Sequence, residues 1–258
     1  KSESFAINKE AYDPEYHINL AIDAELSAYA APLGMIESIA NKYAGTIPLI
    51  LKINSSNLLE KRGLNPYQSI TATVADALRL GCCAIGFTIY PGSKKSIDMI
   101  NELRSITSEA KSVGIAVIVW SYPRGGHISK EGESSVDVCA YSAHIAAILG
   151  ANIIKVKIPN NFVEDIDSRN LYEKHNIKID KKSDRINHIV RSCFNGKRIV
   201  VFSGGSNKNI DDIIDDTISI RDGGGGGSII GRNSFQRTRD EALSMLKKIN
   251  NIYLNKND

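Results

Sequence analysis

Residues 148–159 read ILGANIIKVKIP, and this stretch contains the unit from which most of the chain is built. A helical segment ends at Gly150, a residue type that suits the left-handed position closing a helix. An apolar run then covers residues 152–158. The same order of helical segment, glycine and apolar run recurs at Gly81 and Gly114. The stretch therefore predicts a chain of alternating helices and buried strands.

Seven apolar runs are predicted to form strands, and segments with helical spacing separate most of them. The predicted strands cover residues 28–31, 47–54, 82–90, 115–122, 152–158, 198–203 and 228–231. The predicted helices cover residues 14 to about 26, 68–80, 95–113, 136–149, 184–194, 209–221 and 239–254. Strands without polar alternation, each followed by a helix, indicate a parallel sheet that is covered on both faces.

Seven such strands favour a closed barrel, because a (β/α)8 TIM barrel needs only one more strand. That strand would precede residue 1, so we expect one α/β barrel domain over residues 1–258 whose first strand lies upstream of the printed chain. A polar insertion is expected at about 160–183, either a solvated segment, a lid or an oligomer contact. A doubly wound sheet is the alternative, but no GxGxxG motif follows an early strand. The glycines at 223–227 precede a strand, which predicts a helix-to-strand turn and not a phosphate-binding loop.

The composition disfavours several classes of partner. The 258 residues include 32 basic and 29 acidic side chains, a formal net charge of +3. This balance argues against nucleic acid or an anionic membrane as the main partner. No apolar run approaches the ~20 residues that cross a bilayer, and no signal peptide is visible. The cysteines and histidines lack metal-ligand spacing, so we expect a cytoplasmic protein with reduced thiols and no metal.

Two lysines interrupt the strand at 152–158. Lys155 and Lys157 are two residues apart, so their side chains share one face. A buried ammonium beside another cation loses its proton more easily, and the free amine can attack a carbonyl to form a Schiff base. The alternative is that both lysines reach solvent or pair with carboxylates. The strand alone leaves both readings open.

Further candidate residues stand where other predicted strands end. Trp120 and Tyr122 share one face, so the tyrosine hydroxyl either transfers protons in a cleft or belongs to an aromatic pair that closes the barrel. Lys52 and Asn54 also share a face and either contact substrate or cap their strand. The last two strands end in glycine-containing segments that suit a phosphate, although glycines at strand ends usually form turns. These segments contain Ser203, Gly204, Gly205, Gly231 and Arg232.

Together these motifs resemble the archaeal-type class I fructose-bisphosphate aldolases, and in particular their longer bacterial members. WSYPRG at 120–125 precedes IIK at 153–155, and SGG at 203–205 and GR at 231–232 follow in that order. DPE at 13–15, LKIN at 51–54 and TIY at 88–90 extend the resemblance. The resemblance implies a barrel that cleaves fructose 1,6-bisphosphate reversibly into dihydroxyacetone phosphate and glyceraldehyde 3-phosphate. It also implies no metal or other cofactor, and a ring-based homo-oligomer.

The resemblance also implies roles for particular residues. Lys155 is expected to form the Schiff base, with Lys157 helping to lower its pKa, and Tyr122 to transfer protons. The expected substrate-binding residues are Trp120, which lines the substrate, and the phosphate-binding Ser203, Gly204, Gly205, Gly231 and Arg232. The family's aspartate at the end of its first strand has no counterpart here, and we expect it in a segment upstream of residue 1. The alternatives are a transaldolase-like or thiolase enzyme acting on another phosphorylated ketone, and a non-catalytic phosphosugar-binding barrel.

Overall fold

The computed structural model describes residues 5–57, 59, 65–203 and 208–255. The strands in these ranges are β1 (Tyr29–Pro32), β2 (Leu49–Lys52), β3 (Asn54–Ser55), β4 (Ser69–Ile70), β5 (Ala84–Ile89), β6 (Ala116–Ser121), β7 (Ile153–Lys157), β8 (Ile199–Ser203) and β9 (Ser228–Ile229). The α-helices are α1 (Pro14–Asp23), α2 (Leu33–Tyr43), α3 (Val74–Arg79), α4 (Ser96–Ser112), α5 (Val136–Ile148), α6 (Ile166–Lys174), α7 (Lys182–Ser192), α8 (Ile210–Asp222), α9 (Arg232–Phe235) and α10 (Arg239–Tyr253).

The main sheet is parallel, and its strands follow one another in chain order. Its order is β1-β2-β5-β6-β7-β8-β9, and every neighbouring pair is parallel. A doubly wound sheet would reverse its order at a switch point, and this sheet does not. Helices separate the successive strands of this sheet. The α/β barrel prediction is therefore confirmed for these seven strands.

The inner face of the sheet forms a cluster of its own, without a helix inside it. Ile50, Ala84, Ile118 and Trp120 are its buried members, and partly buried side chains from Ala30 on β1 to Ile229 on β9 pack against them. Side chains from the two edge strands of a seven-stranded sheet can join one cluster only if the sheet curls around that cluster. The larger core lies outside the curl, between the strands and the surrounding helices, and includes Phe87, Phe202 and Met99.

Local capping fixes where several helices begin. Asp13 accepts a hydrogen bond from the Glu15 backbone at 2.9 Å, and Pro14 occupies the first turn of α1. A capping box of Thr73 and Asp76 starts α3. The helix predicted at 68–80 therefore begins later than expected, because Ser69 and Ile70 pair with β3. Helix α2 follows Pro32 and was not predicted.

The segment 160–183 contains α6 and is anchored to the barrel. Tyr172 is buried with Val136 and Val163, and its hydroxyl forms a 2.8 Å hydrogen bond with Nε2 of His188. The Asp137 carboxylate accepts hydrogen bonds from backbone N–H groups at the start of this segment, at 3.1 and 3.0 Å. The segment is therefore packed against α5 and α7 through a small core of its own.

The glycines 223–227 join α8 to β9, as the predicted turn requires. Gly224 and Gly227 adopt φ angles of +79° and +136°, which side-chain-bearing residues rarely adopt. A Cβ at Gly225 would lie 2.6 Å from Cγ2 of Ile220. The helix-to-strand turn is confirmed, and backbone geometry with close packing accounts for these three glycines.

Candidate active site

Neighbouring strands bring two of the predicted site residues, Trp120 and Lys155, into one layer near the carboxyl end of the sheet. Thr88 pairs with Trp120, and Trp120 pairs with Lys155. Lys155 in turn pairs with Val201 on β8. Residues in register on parallel strands point to the same face, and Trp120 belongs to the inner cluster. The layer therefore lines the barrel interior at the end where active sites of this fold lie.

Lys155 carries a buried amine. The residue is 8% exposed, and its Nζ lies 5.7 Å from the centroid of the Trp120 ring. In the described ranges, no carboxylate forms an ion pair with this amine and no group accepts a hydrogen bond from it. Burial lowers the pKa of Lys155 to about 7. Of the two readings of the lysine strand, the buried and weakly basic amine is the one that Lys155 adopts.

Lys157 behaves differently from Lys155. Its Nζ forms a 3.0 Å ion pair with the Glu133 carboxylate, and its side chain is partly exposed. The Lys157 ammonium helps to lower the pKa of Glu133, although burial of that carboxyl acts the other way. Burial alone accounts for the lowered pKa of Lys155. The expectation that Lys157 lowers this pKa is therefore wrong, because a carboxylate compensates its charge.

Tyr122 lies among polar and cationic groups. Burial raises the pKa of its phenol, while a hydrogen bond with Ser203 and the charges of Arg124 and Arg232 oppose that effect. The Arg124 guanidinium lies 5.7 Å from the Tyr122 ring centroid and 5.4 Å from that of Tyr90. The phenol is therefore protonated at neutral pH. It can donate a proton beside groups that attract anions.

The predicted phosphate-binding residues are only partly within the described ranges. Ser203 ends β8 and contacts Tyr122. Gly231 immediately precedes α9, and Arg232 is its first residue and is exposed. Gly204 and Gly205 lie outside the residues that the structure describes. The described part of the predicted site thus places Ser203 and Arg232 near the phenol of Tyr122, and the predicted roles of these residues stay predictions.

A second lysine lies on the other side of Trp120. Nζ of Lys52 is 5.7 Å from the Trp120 ring centroid and donates hydrogen bonds to the backbone carbonyl and Oδ1 of Asn54. Burial lowers the pKa of Lys52 to about 7. Asn54 is fully buried and exchanges hydrogen bonds of 2.9 and 2.8 Å with the backbone of Thr88. The Lys52 amine is therefore held in place from β5.

The space for the indole comes from a glycine. A Cβ at Gly86 would lie 2.4 Å from Cζ3 and 2.7 Å from Cη2 of Trp120, and 3.3 Å from Cδ of Lys52. Carbon atoms pack at about 3.5–4.0 Å, so this position accepts no side chain while the ring stays where it is. Gly86 thus allows Trp120 and the Lys52 stem to approach the backbone of β5.

The described residues contain no group of three or more His, Cys, Asp or Glu side chains arranged to hold a metal ion. No helix within the described ranges combines the length and the apolar character needed to cross a bilayer.

Comparison with known proteins identifies the family. Residues 1–237 match the model of the DeoC/LacD family aldolases. The chain belongs to the DeoC/LacD aldolase family. The probable fructose-bisphosphate aldolase class 1 of Chlamydia muridarum is 32% identical over 267 residues, covering 97% of this chain and 74% of that protein. The fructose-bisphosphate aldolase class 1 of Thermoproteus tenax is 32% identical over 234 residues, covering 90% of this chain and 78% of that protein.

A solved structure extends the match to three dimensions. It is an archaeal fructose-1,6-bisphosphate aldolase whose catalytic lysine is covalently bound to the carbinolamine intermediate of the substrate. The present chain superposes on that archaeal structure with a TM-score of 0.80 at 31% sequence identity. The match covers 97% of the present chain and 88% of the archaeal chain. The resemblance to class I fructose-bisphosphate aldolases and the barrel fold are therefore confirmed, and the chain is an aldolase, which is a type of lyase.

Three residues near the candidate site were not predicted from the sequence. Arg124 was not among the predicted site residues, although its guanidinium lies 5.4 and 5.7 Å from the centroids of two tyrosine rings. Glu133 carries no local sequence signal, because it lies 24 positions before the Lys157 with which it pairs. Gly86 carried a usable signal, since a glycine inside an apolar strand often marks a close approach to the backbone.

Proposed function

We propose that this aldolase is a class I fructose-bisphosphate aldolase that cleaves fructose 1,6-bisphosphate reversibly into dihydroxyacetone phosphate and glyceraldehyde 3-phosphate. The observation that carries the proposal is the Lys155 amine, which is buried without a carboxylate partner in the described ranges and faces the barrel interior. At neutral pH about half of an amine with a pKa of about 7 is uncharged, and the uncharged form can act as a nucleophile. Relatives that share 32% identity are named for the same reaction.

Lys155 would provide an electron sink for breaking a carbon–carbon bond. Its neutral amine adds to the C2 carbonyl, and proton transfer from nitrogen to oxygen gives a carbinolamine. An acid protonates the carbinolamine hydroxyl, which leaves as water, and the remaining cation is a protonated imine. Removal of the C4 hydroxyl proton then breaks the C3–C4 bond, whose electron pair moves into the imine and forms an enamine, while C4 leaves as the aldehyde. A proton added at C3 restores the imine, and water hydrolyses it to dihydroxyacetone phosphate and the free amine.

Tyr122 is our candidate for the proton transfers. Its raised pKa keeps the phenol protonated, so it begins the cycle as a donor. It can protonate the departing hydroxyl of the carbinolamine. As the resulting phenolate it can then take the C4 hydroxyl proton and later return a proton to C3. The nearby Arg124 and Arg232 charges favour the phenolate that forms between these steps.

Cationic and hydroxyl groups around Tyr122 suit a phosphorylated sugar. We propose that Ser203, Gly204, Gly205, Gly231 and Arg232 bind one phosphate and that Trp120 lines the carbon chain. Arg232 can bind phosphate through a bidentate charge-assisted contact. We further propose a single barrel domain with an insertion at about 160–183, which acts as a cytoplasmic homo-oligomer in glycolysis or gluconeogenesis. Sedimentation of the purified protein tests the oligomeric state.

Borohydride trapping tests the central proposal. Purified protein incubated with fructose 1,6-bisphosphate should release triose phosphate in a coupled assay, and reduction should leave a covalent adduct on the peptide that contains Lys155. Lys155→Met should lose both signals, whereas the matched control Lys157→Met should keep the adduct. An adduct on Lys157 would overturn the assignment of the nucleophile, and a wild type that releases no triose phosphate would refute the proposed reaction.

A further inference from the structure

The Lys52 amine lies at the same height in the barrel as Lys155. Lys52 pairs with Gly86 and therefore starts one layer below Trp120 and Lys155. Its side chain extends upward, because Nζ reaches two oxygens of Asn54. The Asn54 side chain is in turn bonded to the backbone of Thr88, which is in register with Trp120. The two amines thus lie in one layer and both face the Trp120 ring.

The contacts of Lys52 leave it with donor capacity. An ammonium has three N–H donors, and Asn54 accepts two of them. Lys155 differs because no described residue accepts a hydrogen bond from it. Lys52 is therefore a fixed donor, while Lys155 is a free amine.

The order of the strands sets the direction of the substrate. The proposed phosphate-binding residues Ser203 and Arg232 belong to the end of β8 and to the start of α9, which follows β9, on one side of the Lys155 strand. We assign the C1 phosphate to that side because C1 adjoins C2 and β8 adjoins the strand of Lys155. With C2 on Lys155, carbons C3 to C6 then extend the other way, over Trp120 on β6. Beyond Trp120 in that direction lie β5 and then β2, which carries Lys52.

We propose that Lys52 contacts the substrate and donates a hydrogen bond to a hydroxyl of its aldehyde half, carbons C4 to C6. This inference rests on the proposed aldolase function and assigns a residue to the half of the sugar that Lys155 does not hold. Asn54 positions the amine, and Gly86 leaves room for its stem beside the indole. Lys52 thereby distinguishes hydroxylated aldehydes from aldehydes without a hydroxyl at that position.

Comparing cleavage of fructose 1,6-bisphosphate with proton exchange of dihydroxyacetone phosphate distinguishes a contact with the aldehyde half from a general effect on the active site. Dihydroxyacetone phosphate alone forms the imine and exchanges a C3 proton with solvent, and this exchange needs no aldehyde half. We expect Lys52→Met to lower kcat/KM for fructose 1,6-bisphosphate cleavage by roughly 10- to 100-fold, the range for losing one charged hydrogen bond. The exchange rate with dihydroxyacetone phosphate in D2O should change by less than about twofold. Retained exchange also shows that the variant is folded.

A chemical rescue tests whether restoring an amine at position 52 restores cleavage. Lys52→Cys treated with 2-bromoethylamine regains an amine of nearly the original length, and cleavage should recover at least about tenfold. The wild type receives the same treatment as a control, because Cys83 is exposed. Equal losses of cleavage and exchange in Lys52→Met would overturn the proposal, as would unchanged cleavage. A wild type that exchanges the proton of dihydroxyacetone phosphate but does not cleave the bisphosphate would refute the proposed function separately.

Discussion

Replacing Gly86 by alanine tests whether the position of Trp120 controls the reaction. The added methyl carbon would lie 2.4 Å from the Trp120 ring, and carbon atoms need about 3.5 Å, so the ring must move by about 1 Å. Trp120 is 9% exposed and belongs to the inner cluster, which leaves little room for that movement. Overpacking of this kind lowers the free energy of unfolding by about 1–3 kcal/mol. A displacement of about 1 Å near reacting atoms lowers activity by roughly 100-fold.

We therefore expect folded Gly86→Ala to lose about 100-fold in kcat for fructose 1,6-bisphosphate cleavage, followed by coupled release of triose phosphate. Urea unfolding should show the loss of stability. Gly34→Ala is the matched control, because a Cβ at Gly34 meets no heavy atom within 4 Å and its backbone is helical. It should keep full kcat and gain up to about 1 kcal/mol in stability. Normal kcat in Gly86→Ala would refute the argument that the ring must stay against β5.

Three further predictions concern charge. Protonation of Lys155, whose pKa is about 7, should slow borohydride trapping about tenfold for each pH unit below 7. Lys157→Met should leave the midpoint of this pH dependence within about 0.5 pH units of the wild-type value. A clear upward shift of the midpoint would show that the Lys157 charge lowers the pKa of Lys155. Between pH 7 and 10.5 the unfolded chain binds a proton that folded Lys155 releases, so stability rises with pH. Lys155→Met should reduce that slope in urea titrations and be more stable than the wild type at pH 7, and an equal or steeper slope would contradict the burial argument. Arg232→Ala should raise KM by roughly tenfold or more with little change in kcat, and unchanged kinetics would count against phosphate binding there.

The strands were predictable from the sequence because the signal is local. Each strand of the main sheet is a short apolar run, and glycines such as Gly114 mark the ends of the preceding helices. Helix α2 was missed because no side chain caps its first turn after Pro32. Helix α6 was missed because its sequence is mostly polar, and Tyr172 is its buried member. Both helices are fixed by contacts that span many residues.

The candidate site also has a part that was predictable from local sequence and a part that was not. Alternation placed Trp120 with Tyr122 and Lys155 with Lys157, and lysines in an apolar strand are unusual. The choice of Lys155 over Lys157 came from the family resemblance. The environment of each group was not predictable, because it comes from distant residues. The Glu133 carboxylate compensates the charge of Lys157, and the Arg124 guanidinium lies near the rings of both Tyr90 and Tyr122. Such contacts form only in the folded barrel, because their members are far apart in the sequence.

Two lysines beside one indole raise the question of which one attacks the carbonyl, and their acceptors decide it. Burial lowers both pKa values to about 7, so burial alone does not distinguish Lys155 from Lys52. Lys52 donates to two oxygens of Asn54, which would lose those hydrogen bonds if the amine moved to a carbonyl carbon. An intramolecular hydrogen bond contributes about 0.5–1.5 kcal/mol, so attack by Lys52 would begin with that penalty for each bond it breaks. Lys155 has no such bond to a described residue and can form the imine without breaking one.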